Sequence, residues 1–216
     1  MTERTPVDFW FDPICPWAWM TSRWLHEVAA VRPVEPRWHI MSLAVLNEDK
    51  DISEEYRLIL KHAIKPVRVL QAAAEKYGED VLGTLYTELG TRIHNQGRLK
   101  SVDMGDDAGA ASAVFREVVA EALEAAGLDP SLVDAADVTD HDEAIRRSHA
   151  KGIDLVGEEV GTPVIAVGDV AFFGPVVSPA PKGEDAAKLW DGVLLVARTD
   201  GFFELKRSRT RSPIFD

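Results

Sequence analysis

Cysteine is nearly absent from this chain: one residue, Cys15, in 216. A single cysteine excludes an internal disulfide, and with it the cross-linked frameworks on which small secreted domains depend. Long hydrophobic runs are missing too. No window of about 18 apolar residues occurs, and the opening MTERTPVDFWFDP has no apolar stretch of signal-peptide length, so neither a membrane span nor export is expected. Positive charge is scarce: 24 Lys and Arg against 36 Asp and Glu leave a formal net charge of −12. That balance opposes binding to nucleic acid or to an anionic membrane, both of which need a positive face. The exception is Lys206, Arg207, Arg209 and Arg211, which read as a solvated terminal segment. Neither a Walker-type phosphate loop nor a Rossmann glycine fingerprint is present, so no tightly bound nucleotide is expected. No cysteine and histidine spacing suggests a metal site. A reducing, cytoplasmic setting fits these absences.

What is present suffices for a full core, since 46 % of the residues are hydrophobic and the chain is long enough to bury them. Val7 to Phe11, rich in β-branched and aromatic residues, predicts a buried first strand. Trp17, Trp24, Leu25 and Val28 then predict a helix over Ala18 to Val31, stopped by Pro33. Val34 to Met41 predicts a second strand, with Pro36 placing it at an edge. From 44 to about 159 the β-rich runs disappear and four to six helices are expected. Ser53, with Glu54 and Glu55 behind it, caps the first of them. Pro66 is expected to divide that helix from the next. Val114, Phe115, Val118, Val119, Ala122 and Leu123 form an apolar stripe that stops at Gly127 and Pro130. Thr139 to Asp142 has capping-box spacing ahead of a helix through Ser148 and His149. Val164–Val167 and Val170–Phe173 predict a hairpin turning at Gly168 and Asp169. A last helix opens on Glu184 and Asp185 and carries Trp190, Val193, Leu194 and Ala197 on one face. Strand, helix, strand, helical insertion, hairpin, helix is the order of a thioredoxin-like α/β fold. Residues 1–43 and 160–216 would make its sheet domain and 44–159 the all-helical insertion.

Cys15 falls between the first strand and the first helix, with Pro16 in the first helical position that proline favours. There its sulfur should meet unpaired helix-terminal amides, which favour the thiolate. A cysteine-protease arrangement needs a histidine base beside the sulfur, and His26 lies about three turns along the same helix. His39, His62, His94, His141 and His149 could approach only through the fold. The chemistry left is attack by the thiolate on a disulfide or on an electrophilic small molecule.

The stretch Phe11-Asp12-Pro13-Ile14-Cys15-Pro16-Trp17-Ala18-Trp19 resembles the active-site segment of the DsbA family, where Cys-Pro-x-Cys opens the first helix. Val160-Gly161-Thr162-Pro163-Val164 looks like the loop whose cis-proline faces that cysteine, which would set the Thr162 backbone beside Cys15. DFWFDPICPWAWMTSRWL, HIMSLAVLNE, RIHNQG, EEVGTPVIAVGDVAFFGPV, KLW and FFELKRSRT together resemble one branch, the mycothiol-dependent nitroreductases and their cytosolic DsbA-like relatives. The resemblance covers nearly the whole chain. It implies a DsbA-like fold, mycothiol as the electron source with glutathione as the alternative, and a homodimer. Ala18 departs from it by standing where better-known members carry a second, resolving cysteine. The departure leaves three options: a natural monothiol enzyme, a variant built to trap a mixed disulfide, or a relative of the kappa-class glutathione transferases and isomerases. A noncatalytic thioredoxin-like binding protein is the option from another class. Candidate partners around the sulfur are Trp17, able to cover a flat substrate, and Asn47, with Tyr56 and His94 behind them; Trp19 and Trp24 are expected in the core.

Overall fold

The computed structural model describes residues 4–100 and 108–215. Its four strands, β1 (Thr5–Phe11), β2 (Val34–Ile40), β3 (Val164–Val167) and β4 (Val170–Phe173), form one sheet in the order β2-β1-β3-β4. β1 pairs with β2 in parallel and with β3 antiparallel, and β3 turns into β4 as a hairpin. Gly168 makes that turn at φ +62, which a residue with a Cβ adopts at a cost. β2 is an edge strand, which tolerates Pro36 because an outward-facing N–H has no ladder partner to lose.

The helix α1 (Pro16–Val31) crosses from β1 to β2, starting at Cys15 as its cap and ending where Arg32 turns extended ahead of Pro33. Trp19, Met20, Trp24, Leu25 and Val28 are buried along one face. The C-terminal helix shares that face: Trp24 donates from Nε1 to the Ala186 carbonyl at 3.0 Å and lies 5.8 Å from Trp190. In chain order the helices after α1 are a single turn, α2 (Leu43–Leu46), then α3 (Glu54–Tyr77), α4 (Val81–Gly90), α5 (Ala108–Ala125), α6 (Asp142–Ile153) and α7 (Gly183–Ala197). Phe11 of β1 stacks on Tyr86 of α4 at 3.8 Å, so the helical segment closes over the carboxyl end of the first strand. At Gly90 a Cβ would sit 2.2 Å from the Trp19 ring, so glycine is what lets α4 approach α1.

Two local expectations fail. Pro66 does not divide a helix: α3 runs unbroken from Glu54 to Tyr77 with Pro66 inside it and buried. The hydrogen bond that proline removes costs about 3 kcal/mol, but Leu60, Ala63, Val67, Leu70 and Ala73 continue one buried stripe across it and outweigh that loss. Thr139 does not cap α6 either; His141 takes the cap position without a side-chain bond. Asp142 is instead engaged by Arg68, whose guanidinium donates to both carboxylate oxygens at 2.7 and 2.8 Å and ties α6 to α3. Ser53 caps α3 as expected, its Oγ accepting from the Tyr56 amide.

Candidate active site

Cys15 stands where the end of β1, the start of α1 and the Thr162–Pro163 loop meet. β1 ends at Phe11, and three residues later the chain must turn into α1. The Cys15 amide donates to the Asp12 carbonyl at 3.1 Å to close that turn. As N-cap of α1, Cys15 has extended backbone (φ −72, ψ 113), and its Sγ accepts from the Ala18 amide at 3.5 Å. On the other side the thiol donates to the Thr162 carbonyl, also at 3.5 Å. The Thr162–Pro163 bond is cis, and Thr162 Oγ1 anchors the loop by donating to the Trp10 carbonyl at 3.1 Å. The Thr162 backbone therefore lies beside Cys15, as the family resemblance implied.

The expected low thiol pKa does not hold for this resting geometry. Cys15 is only 7 % exposed, and burial pushes its thiol up to about 11, with Asp12 adding to the rise. The amides of Ala18 and Trp17 and the charge of Arg209 pull the other way without prevailing. Sequence position alone supplied the helix-terminal amides but not the loss of water around the sulfur.

Asp12 is a site residue the sequence reading passed over. It is fully buried, accepting from the Ile14 amide at 2.9 Å and from the Leu43 amide at 2.7 Å, so it pins the Cys15 turn to the start of α2. Burial raises its carboxyl to about 6 despite those two bonds. A carboxyl whose folded pKa exceeds its ordinary value of 3.8 holds its proton more tightly when folded. Ionising it therefore works against folding, and its contribution falls as pH rises from about 4 to about 6 and then levels off. Urea unfolding of wild type and Asp12→Asn should show the wild type losing about 2 kcal/mol relative to the variant between pH 4 and pH 7. The amide that Asn cannot satisfy adds only a pH-independent offset.

The weaker candidates divide. Tyr56, on α3, is half-buried; burial, with the charges of Asp12 and Cys15 behind it, raises its phenol, and no hydrogen bond among the described residues ties its side chain to Cys15. His94 is buried, and its Nε2 donates to the Pro13 carbonyl at 2.9 Å, which fixes the tautomer because a carbonyl can only accept. Burial pushes its imidazolium down to about 4, so it is neutral at pH 7. The five-residue π-helical turn Thr91–Asn95 after α4 aims it there; such turns recur at functional sites. Asn47 instead donates from Nδ2 to the Leu43 carbonyl at 2.7 Å, closing α2; no hydrogen bond among the described residues ties it to Cys15. Trp17 is half-buried, but its face is not open: the Arg209 guanidinium lies 5.1 Å from the ring centroid. The basic run is exposed, as expected of a solvated segment, but Arg209 lies against Trp17 rather than away from the body. Exposed residues in an acidic chain carried no periodicity to show that the tail doubles back. Trp19 and Trp24 are buried in the core as expected.

A cavity of about 510 Å³ lined by His26, Trp38, His39 and Glu79 lies between β2 and α4, and none of the residues around Cys15 lines it. Among the described residues no group of three or more His, Cys, Asp or Glu is placed to hold a metal ion, and no helix is long and apolar enough to cross a membrane.

The chain has counterparts. A family model, Rv2466c-like, mycothiol-dependent nitroreductase Rv2466c, matches residues 14–207. The uncharacterized protein Rv2286c of Mycobacterium tuberculosis (strain ATCC 25618 / H37Rv) is 27 % identical over 212 residues, 97 % of this chain and 85 % of that protein. Among solved structures, the probable DsbA oxidoreductase SCO1869 from Streptomyces coelicolor superposes with a TM-score of 0.56 at 17 % identity, covering 97 % of this chain and 96 % of that one. The cytosolic disulfide reductase DsbM from Pseudomonas aeruginosa does so with a TM-score of 0.50 at 16 % identity, over 89 % and 100 %. These two similarities show a DsbA-like thioredoxin fold.

Proposed function

The chain belongs to the Rv2466c-like family of mycothiol-dependent nitroreductases, and from that premise we propose that it is a thiol-dependent oxidoreductase working through Cys15 alone. The observation that carries the reading is the sulfur's position, capping α1 through the Ala18 amide while facing the carbonyl before a cis-proline. An extended partner can lie along the Thr162 backbone with its own sulfur against Sγ. The small thiol, mycothiol with glutathione as the alternative, supplies the electrons. In this reading residues 1–43 and 160–216 carry the chemistry, the helical segment 44–159 walls it, the setting is cytoplasmic and the assembly is a homodimer, as the family resemblance implies.

At rest Cys15 is a protonated thiol. Burial is the largest cause, and the Ala18 amide favours the thiolate fraction that reacts. Cys15 then attacks one sulfur of a disulfide, forms the mixed S–S bond and releases the other sulfur as a thiolate. Ala18 offers no second sulfur, so Cys15 is released only when an external thiol takes its place in the disulfide. For nitro reduction the small thiols themselves would be the electron donors, two thiols being oxidised to one disulfide for each electron pair delivered. Ala18 also favours a second reading, a transferase or isomerase that activates the thiol without redox turnover; conjugate formed with no disulfide product separates the two.

Intact mass after exposure to mycothiol disulfide and, separately, to oxidised glutathione tests the reading. We expect one thiol adduct per chain, on Cys15, removed by excess free thiol. Its rate should climb steeply with pH toward the thiol's value of about 11. No adduct on folded protein between pH 7 and 10 would make Cys15 inert.

A further inference from the structure

Beyond α7 the chain runs from residue 198 to 215 without helix or strand, yet it does not leave the body. Ser178 Oγ donates to the Ser212 carbonyl at 3.3 Å and accepts from the Ile214 amide at 2.9 Å. Phe215 is half-buried with its ring 5.5 Å from His94, the residue that holds the Pro13 carbonyl. Arg209, between these anchors and α7, lies over Trp17, two residues past Cys15. The segment is therefore a strap across the mouth of the Cys15 site. Five basic residues, Arg198, Lys206, Arg207, Arg209 and Arg211, ride on it in a chain of net charge −12.

The groups around the sulfur are few. Asp12 comes from the end of β1, Tyr56 from α3, Tyr86 from α4, His94 from the π-helical turn and Arg209 from the strap. Above pH 7 both phenols and the imidazole are neutral, since burial raises the former and lowers the latter. Asp12 is then ionised and opposes charge on the sulfur. Arg209 opposes Asp12, whose effect on the thiol is the larger, and makes no ion pair among the described residues. Thiol–disulfide exchange spreads one negative charge over three sulfurs in its transition state, and a cation at the rim of a buried thiol's site stabilises such charge against the opposing Asp12.

We propose that Arg209 is a positioning residue for the Cys15 chemistry: laid on Trp17 by the C-terminal strap, its guanidinium supplies the positive potential at the sulfur that draws in anionic reactants and stabilises the charge of exchange. The proposal rests on Cys15 being the reactive group, as argued above.

Alkylation separates charge from everything else. Iodoacetate and iodoacetamide react alike, the thiolate forming an S–C bond as iodide leaves, but only iodoacetate is anionic. Because the same thiolate attacks both, the ratio of their rates on Cys15 at pH 8 is independent of the thiol's ionised fraction and of its pKa. Arg209→Ala should lower the iodoacetate to iodoacetamide ratio about threefold or more, and Arg209→Lys should restore it to within about twofold of wild type. Raising salt to about 0.5 M should bring the wild-type ratio down toward that of Arg209→Ala. An unchanged ratio in Arg209→Ala overturns the inference. So does an equal change in both rates, which would make the strap a steric cover and Arg209 incidental. Failure of either reagent to modify wild-type Cys15 overturns the reactive-cysteine reading itself, and this inference with it.

Discussion

Replacing Cys15 by serine is expected to lower thiol-dependent turnover at least about 1,000-fold while leaving the fold as stable as before or slightly more so. The two halves of that expectation have separate causes. No S–S bond can form on a hydroxyl, so the mixed disulfide that the cycle passes through is lost outright rather than slowed. The local structure, by contrast, asks only for a short side chain that accepts from the Ala18 amide and donates toward the Thr162 carbonyl. Serine does both, and as an N-cap it is among the preferred residues, worth about 0.5–1 kcal/mol over a residue that cannot cap. Steady-state rates with saturating small thiol, set beside urea midpoints for the same two proteins, check the pair of statements together. A variant that keeps more than about a tenth of the turnover with an unchanged midpoint would place the chemistry elsewhere.

The outline of this site was written in local sequence, and its electrostatics were not. β1, Cys15 with Pro16, the Thr162–Pro163 loop and the β3–β4 hairpin rest on short-range chemistry: β-branched runs, a proline at a first helical turn, a Gly-Asp turn. Each of these is legible residue by residue except the Thr162–Pro163 loop, whose place beside Cys15 came from the family resemblance. The pKa of Cys15 depends instead on how much water the rest of the chain removes. Tyr86 reaches the site from α4 and His94 from a π-helical turn that no periodicity announces. The same distinction explains Pro66. Proline's local preference is to end a helix, and only the shared burial of Leu60, Ala63, Val67 and Leu70 overrides it. Asp12 was visible as a residue but not as a clip, because its partner amide, Leu43, is 31 residues away in sequence. Arg209 lay inside a quoted matching segment, FFELKRSRT, yet charge pattern alone says nothing about where an irregular segment goes.

Ala18 is where the chain's chemistry can be redirected with one substitution. Cys15 caps α1 and Ala18 occupies the third helical position behind it, with the Ala18 amide already 3.5 Å from Sγ. Side chains three apart on a helix turn have Cβ atoms about 5–6 Å apart. Disulfides prefer closer Cβ atoms, and the extended backbone at the cap gives Cys15 the freedom to close the remainder. Ala18→Cys is therefore expected to form an internal disulfide with Cys15 on oxidation, seen in intact mass as the loss of two hydrogens. Ala18 has no exposure at all, so the added sulfur overpacks the first turn of α1, and a cost of about 1–3 kcal/mol in stability should accompany the gain. The diagnostic change is in the mixed disulfide. In the parent chain only an external thiol can free Cys15, so the small-thiol adduct accumulates. With a second sulfur one turn away, resolution becomes intramolecular and outpaces any thiol at millimolar concentration. Under the same oxidised thiol, the steady-state adduct should fall at least about tenfold in Ala18→Cys. If the adduct persists at the parent's level while the introduced thiol stays reduced, the first turn is too rigid for a dithiol cycle. The alanine would then be tied to the packing of this site rather than to a monothiol chemistry.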